Sequence, residues 1–190
     1  MIQNSFRISA GLLKGLKFTF PSSEGLRPTK SFIKETLFNW LQFSIPGSKV
    51  LDLFSGSGSL AFEAISREAM SVTIVEKDQT VFDCLKKNSN NIKTTTSIQL
   101  VNDDALNYIE RSKNTKFDII FLDPPFFKNY LNLCLSKIDV NQIIGKKSKI
   151  YIESEFEISE DFLKKNLVSP FKLKKNKKSG DVYYSLVEIL

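Results

Sequence analysis

Apolar residues recur along this chain in two rhythms, short unbroken runs and a spacing of three and four, and from Lys49 onward the two alternate. The runs stand at Val50 to Phe54, Val72 to Val75, Ile98 to Val101, Phe117 to Leu122 and Ile150 to Ile152. Between them Leu60 to Arg67, Gln79 to Asn88, Ala105 to Arg111 and Tyr130 to Ile138 carry the spacing of amphipathic helices. Short apolar strands separated by helices predict an α/β fold with a parallel sheet covered on both faces, and right-handed crossovers make it doubly wound. The rhythm breaks near the C-terminus. There Phe171 to Lys178 and Val182 to Leu190 flank Ser179-Gly180-Asp181, which predicts an antiparallel hairpin closing the sheet.

Ahead of Lys49 the pattern is different. Phe6 to Phe20 alternates loosely around Gly11 and Gly15, as a short strand pair would. Lys30 to Phe43 then places Ile33, Leu37, Trp40 and Leu41 on one helical face, and Pro46-Gly47 ends that helix. These features divide the chain into an N-terminal extension, residues 1–45, and a main domain, residues 46–190.

Composition narrows the chemistry. The chain has no histidine, and its two cysteines, Cys84 and Cys134, stand apart in helix-like segments, which argues against a disulfide framework, a metal site or a histidine-based triad. No run of about 18 apolar residues suggests a membrane span. Gln3, Asn4 and Arg7 interrupt any leader-like stretch, so the expected compartment is the cytoplasm. A net charge of +6 suits a polyanionic partner. Lys14, Lys17, Arg27, Lys30 and Lys34 gather in the extension beside aromatic residues, a mixture suited to single-stranded nucleic acid. Lys172, Lys174, Lys175, Lys177 and Lys178 crowd the hairpin, where nucleic-acid contact and protection of a sheet edge both remain open.

The first strand of the main domain runs into Asp52-Leu53-Phe54-Ser55-Gly56-Ser57-Gly58, a glycine turn opening a helix. The same spacing serves dinucleotides. Asp52, however, puts a carboxylate where a pyrophosphate would be repelled and the cationic amino-acid end of S-adenosylmethionine attracted. Glu76 ends the second strand, where an acid reaches ribose hydroxyls, and Asp104 follows the third, where an acid could meet an adenine amine. Helix capping is the competing account of Asp104.

The fourth strand ends in Asp123-Pro124-Pro125-Phe126. Consecutive prolines leave carbonyls free to accept hydrogen bonds. An exocyclic amine on a base is a poor nucleophile, because its lone pair is delocalised into the ring. Acceptance of its protons by the Asp123 carboxylate and the Pro124 carbonyl would localise that pair, with Phe126 stacked on a flipped base.

With these motifs the chain resembles the class I N-methyltransferases that act on nucleic-acid amines. Arg7-Ile8-Ser9-Ala10-Gly11, Leu26-Arg27-Pro28-Thr29, Glu35 to Leu41, Tyr151 to Glu155 and Gly180 to Tyr184 narrow the resemblance to bacterial 16S rRNA guanine-N2 methyltransferases, and it spans essentially the whole chain. The resemblance implies a Rossmann-like domain with a mostly parallel seven-stranded sheet. It implies S-adenosylmethionine held by Asp52, Phe54, Gly56, Gly58 and Glu76, with Asp104 and Ala105 beside the adenine. Asp123, Pro124, Pro125 and Phe126 would hold a guanine of 16S rRNA, presented on the small ribosomal subunit or an assembly intermediate of it. Arg7, Lys14, Arg27, Thr29 and Lys34 would face the RNA, with no metal involved. Phe32 and Lys34 stand where the family usually has arginines, which bears on substrate affinity rather than on the chemistry. Other readings are a DNA adenine-N6 methyltransferase, a nicotinamide-dependent oxidoreductase and a catalytically silent rRNA-binding assembly factor.

Overall fold

A computed structural model describes residues 3–22, 30–126 and 129–190 of the protein. Two strands, β1 (Gln3–Arg7) and β2 (Lys17–Pro21), pair antiparallel as a separate ribbon, and α1 (Ser31–Trp40) follows. Then come β3 (Lys49–Asp52), α2 (Ser59–Ser66), β4 (Ser71–Glu76), α3 (Gln79–Asn90), β5 (Ser97–Asn102), α4 (Ala105–Arg111), β6 (Phe117–Leu122) and α5 (Tyr130–Val140). The chain closes with β7 (Ile144–Ser154), α6 (Glu160–Asn166), β8 (Phe171–Ser179) and β9 (Val182–Ile189).

The seven later strands form one sheet in the order β5-β4-β3-β6-β7-β9-β8. The first five run parallel, and β9 lies antiparallel between β7 and β8. Successive residues of each strand alternate between two cores. Val50, Ile74, Phe121 and Tyr151 pack on one face with α1, α2 and α3; Leu51, Val75, Ile120 and Ile152 pack on the other with α4, α5 and α6. Strand order reverses between β3 and β6, and a crevice opens at such a switch point beyond the carboxyl ends of the strands.

Two elements depart from the sequence reading. Helix α6 was not expected: Leu163 is its only buried residue, so no apolar periodicity betrays it. It is instead specified by Ser159, whose hydroxyl caps Phe162 N–H, with acids in the first turn and lysines in the last. Strand β7 also starts earlier than its apolar run, because Lys146, Lys147 and Lys149 continue it as polar residues.

The N-terminal segment shares the first core rather than forming its own. Ile8, Leu13, Phe18, Ile33 and Leu37 pack there, with Phe18 stacked on Phe62 at 4.5 Å. A polar clamp holds it in register. Glu63 of α2, with no exposed surface, accepts hydrogen bonds from the N–H groups of Ser9 and Ala10 and from the Ser9 hydroxyl. Arg67 at 3.1 Å and Lys34 at 3.2 Å complete its shell. Burial opposes the charge of Glu63, but the Ser9 hydrogen bonds and Lys34 outweigh it and hold the carboxyl below its ordinary value. Ser66 donates to Ala10 and accepts from Leu13 N–H, bringing α2 so close that a Cβ on Gly11 would stand 1.9 Å from the Ser66 carbonyl oxygen.

Removing one partner of such a buried network strands the others. Glu63→Ala should therefore destabilise the protein by about 3–5 kcal/mol in urea denaturation, and adding Lys34→Met should recover part of that loss. A Glu63→Ala protein of near-normal midpoint would show that the clamp holds nothing.

Candidate active site

Parallel register lines up a row of acids at the switch point. Asp52 stands beside Ile74 on one side and Phe121 on the other, so Glu76 and Asp123 each lie two residues further along the neighbouring strands. Leu122 pairs with Ile152, which sets Glu153 across from Asp123 on β7. Because side chains alternate along a strand, Glu76, Asp52, Asp123 and Glu153 share the face that carries α1. Four adjacent strands thus each bring one carboxylate to the same edge.

The crowding has an electrostatic consequence. Asp52 is 2% exposed; its dehydration, and then the charges of Asp123 and Glu76, push its carboxyl up to about 8. Dehydration raises Asp123 to about 7. Burial, with Glu153 and Asp123 beside it, holds the Tyr151 hydroxyl protonated far above its usual range. An edge of this kind disfavours anions and favours a cation, or a ligand rich in hydrogen-bond donors.

The glycine turn borders this row. Gly56 N–H donates to Glu76 Oε2 at 2.8 Å, and Glu76 Oε1 accepts from Asp78 N–H at 2.8 Å. Gly58 adopts φ +81°, and a Cβ there would meet Leu85 at 2.6 Å and Phe62 at 2.7 Å. This glycine is therefore required for packing α2 against α3. Phe54 meets Tyr130 edge-on at 5.8 Å. Ala105 is buried at the start of α4.

Asp104 is committed first to structure. Its Oδ1 caps Leu106 N–H at 2.9 Å, while Oδ2 accepts from Lys77 at 3.3 Å and from the Tyr130 hydroxyl at 3.4 Å. An adenine amine there would have to share Oδ2. On the other side of the row, Pro124 is buried, Pro125 is exposed and Phe126 is partly covered. Pro124 and Pro125 line a shallow cleft with Tyr130, Glu153 and Phe156.

The described residues assigned to RNA differ in exposure. Arg7 is exposed and donates to the Gly15 carbonyl at 2.9 Å, and Lys14 is exposed in the turn beside it. Arg27 and Thr29 lie outside the described residues. Lys34 is a correction: it is 4% exposed, paired with Glu63, and donates to the Arg7 carbonyl at 2.9 Å, so it cannot face RNA. A lysine on a helix whose other face looks polar reads as exposed in sequence, and only the buried acid on α2 explains its position. Of the hairpin cations, Lys177 lies over the Trp40 ring at 5.9 Å and Lys178 over Tyr183 at 4.7 Å, so the hairpin tip sits beside α1. Glu153 carries no role in the sequence reading. Its signal was an acid directly following the apolar run Ile150 to Ile152, at the carboxyl end of a strand.

The raised Asp52 carboxyl makes stability depend on pH. An unfolded aspartate loses its proton near pH 4, whereas the folded one keeps it to about 8, so the folded state binds more protons between these values. Stability then falls as pH rises through that window and levels above it. Asp52→Asn should raise the melting temperature by several degrees at pH 8 and leave it nearly unchanged at pH 4. A gap independent of pH, measured by thermal denaturation without added ligand, would contradict the raised Asp52 carboxyl.

Comparison with known proteins agrees with this architecture. The family model described as conserved hypothetical protein 95 matches residues 6–188. A Haemophilus influenzae protein named ribosomal RNA small subunit methyltransferase D is 41% identical over 186 residues, spanning 96% of this chain and 93% of that protein. The structure of an Escherichia coli protein, described as a candidate methyltransferase, matches with a TM-score of 0.85 at 33% identity over 98% of both chains. A Thermus thermophilus 16S rRNA N2 methyltransferase, solved with AdoMet and guanosine, shares the fold at a TM-score of 0.69 and 24% identity, over 100% of this chain and 51% of that one. The chain belongs to the conserved hypothetical protein 95 family, and to the family that includes the Haemophilus ribosomal RNA small subunit methyltransferase D.

Proposed function

We propose that this protein transfers a methyl group from S-adenosylmethionine to the exocyclic N2 amine of a guanine in 16S rRNA, carried by the small ribosomal subunit or a particle assembling into it. The observation that carries the reading is the register that brings Asp123 and Pro124 beside Asp52 across the switch point. One edge then holds both a cradle for a cation and acceptors for an amine. The names of the relatives support an rRNA substrate, and the sequence resemblance supports guanine N2.

The residues present fit the cofactor. Asp52 and Glu76 form an acidic edge beside the glycine turn, suited to an ammonium group and to ribose hydroxyls, with Phe54, Gly56 and Gly58 shaping the turn and Asp104 and Ala105 bordering the adenine side. When bound, S-adenosylmethionine supplies an electrophilic methyl group. The protein's own part is to prepare the amine. Asp123 and the Pro124 carbonyl accept its two N–H bonds, which turns the nitrogen lone pair out of conjugation with the ring, and Phe126 holds the base plane. Residues 1–45 act as a substrate-side extension on the cofactor domain, residues 46–190, with Arg7, Lys14, Arg27 and Thr29 toward RNA phosphates.

Interactions that strengthen as the amine changes geometry appear in rate rather than in affinity. Asp123→Ala should lose on the order of a hundredfold or more in single-turnover methyl transfer to small-subunit particles, about 2.7 kcal/mol. Its affinity for S-adenosylhomocysteine, measured by calorimetry, should change little. Near-normal turnover in this variant would remove the catalytic role of the motif. Tight binding of NAD in place of S-adenosylhomocysteine would remove the cofactor assignment as well.

Phosphate contacts make the substrate step salt-sensitive, because they release counterions. Transfer to small-subunit particles should fall steeply as salt rises and should far exceed transfer to duplex DNA. Preferential methylation of DNA adenine would overturn the substrate assignment.

A further inference from the structure

We infer that Glu153 reads the Watson–Crick edge of the target base and selects guanine; this inference rests on the methyl-transfer reading above. Register sets Glu153 across from Asp123 on the neighbouring parallel strand, and both side chains share the α1 face of the sheet. Phe121 and Tyr151, one pleat below them, meet edge-on at 6.2 Å and confirm that the two strands present matching faces. Glu153 and Pro124 also line the same shallow cleft.

Glu153 is fixed in place by its surroundings. It is only 4% exposed, and the Tyr151 hydroxyl donates to Oε1 at 2.8 Å. Tyr184 is its cross-strand partner on β9 and stacks on Trp40 at 5.5 Å, so a wall of aromatic side chains stands on that side. A carboxylate oriented this way is a fixed hydrogen-bond acceptor at the edge where the base must lie.

Guanine matches such an acceptor. Its N2 amine and its N1–H are neighbouring donors on one edge. With N2 held by Asp123 and Pro124, N1–H is the next group along, and Glu153 is the next carboxylate along. Adenine and 2,6-diaminopurine have a lone pair at N1, which a carboxylate repels. A site built around a polar contact discriminates strongly against an analogue that lacks it. Asp123 therefore serves the reaction and Glu153 serves the choice of base.

The test first maps the guanine that the wild-type protein methylates in small-subunit particles; failure to methylate any guanine sinks the proposed function, independently of Glu153. Particles are then rebuilt with 2,6-diaminopurine at that position, which keeps the N2 amine and replaces N1–H by a lone pair. The wild-type protein should prefer guanine by roughly a hundredfold or more in kcat/KM. Glu153→Gln, whose carboxamide can donate to that lone pair, should collapse or invert the preference while leaving S-adenosylhomocysteine affinity unchanged. A folded Glu153→Gln protein that keeps the wild-type preference overturns the inference. If that variant does not fold, Tyr151→Phe supplies the measurement. It removes the hydrogen bond that orients Oε1 without altering charge and should lower the preference at least several-fold, and an unchanged preference overturns the inference equally.

Discussion

The parallel pairing of β3 with β6, which sets Asp52 beside Phe121, is the constraint on which the candidate site depends. These strands come from distant parts of the chain and meet only because strand order reverses between them. A slip of one residue would turn Asp123 to the opposite face, away from Asp52. Apolar neighbours prevent that slip: Ile119 and Phe121 belong to one core, Ile120 and Leu122 to the other. Packing of ordinary hydrophobic residues thus determines where the carboxylates stand.

Two buried acids illustrate how environment separates structure from chemistry. Glu63 is surrounded by donors from Ser9, Ala10, Arg67 and Lys34, so its charge is satisfied and its carboxyl is held low. Asp52 is equally buried but faces other acids, and its carboxyl is raised. The first arrangement binds the N-terminal segment to α2. The second destabilises the fold unless a cation or a donor-rich ligand occupies the edge.

The N-terminal segment links these two regions. Its helix α1 lies over the face that carries the acid row, and Lys34 anchors that helix to Glu63 from beneath. Lys34 therefore serves the attachment of α1. Phe32, two residues earlier on the same helix, is exposed.

Much of this was legible in the sequence. Strand and helix periods, the glycine turn and the Asp-Pro-Pro-Phe motif are local patterns, and each emerged as the element it announced: β3, α2, β6 and the turn beyond it. The hairpin was legible too, because Gly180 punctuates two alternating runs. Tertiary structure alone decided the rest. Helix α6 buries Leu163 alone and so shows no apolar period, and its cap and end charges acquire meaning only once Leu163 reaches the core. Lys34 reads as a surface cation until Glu63, 29 residues away in sequence, is seen to bury it; the pairing is a product of how α1 crosses α2. Asp104 read first as a ligand contact, with a cap as the competing account, and the geometry of α4 assigned its Oδ1 to the cap. Glu153 became a candidate only when strand register set it next to Asp123. Sequence specifies which residues can do chemistry, since that follows from side-chain type and local spacing. Which of them share an edge, and at what charge, depends on pairings between distant strands and on the dehydration those pairings impose.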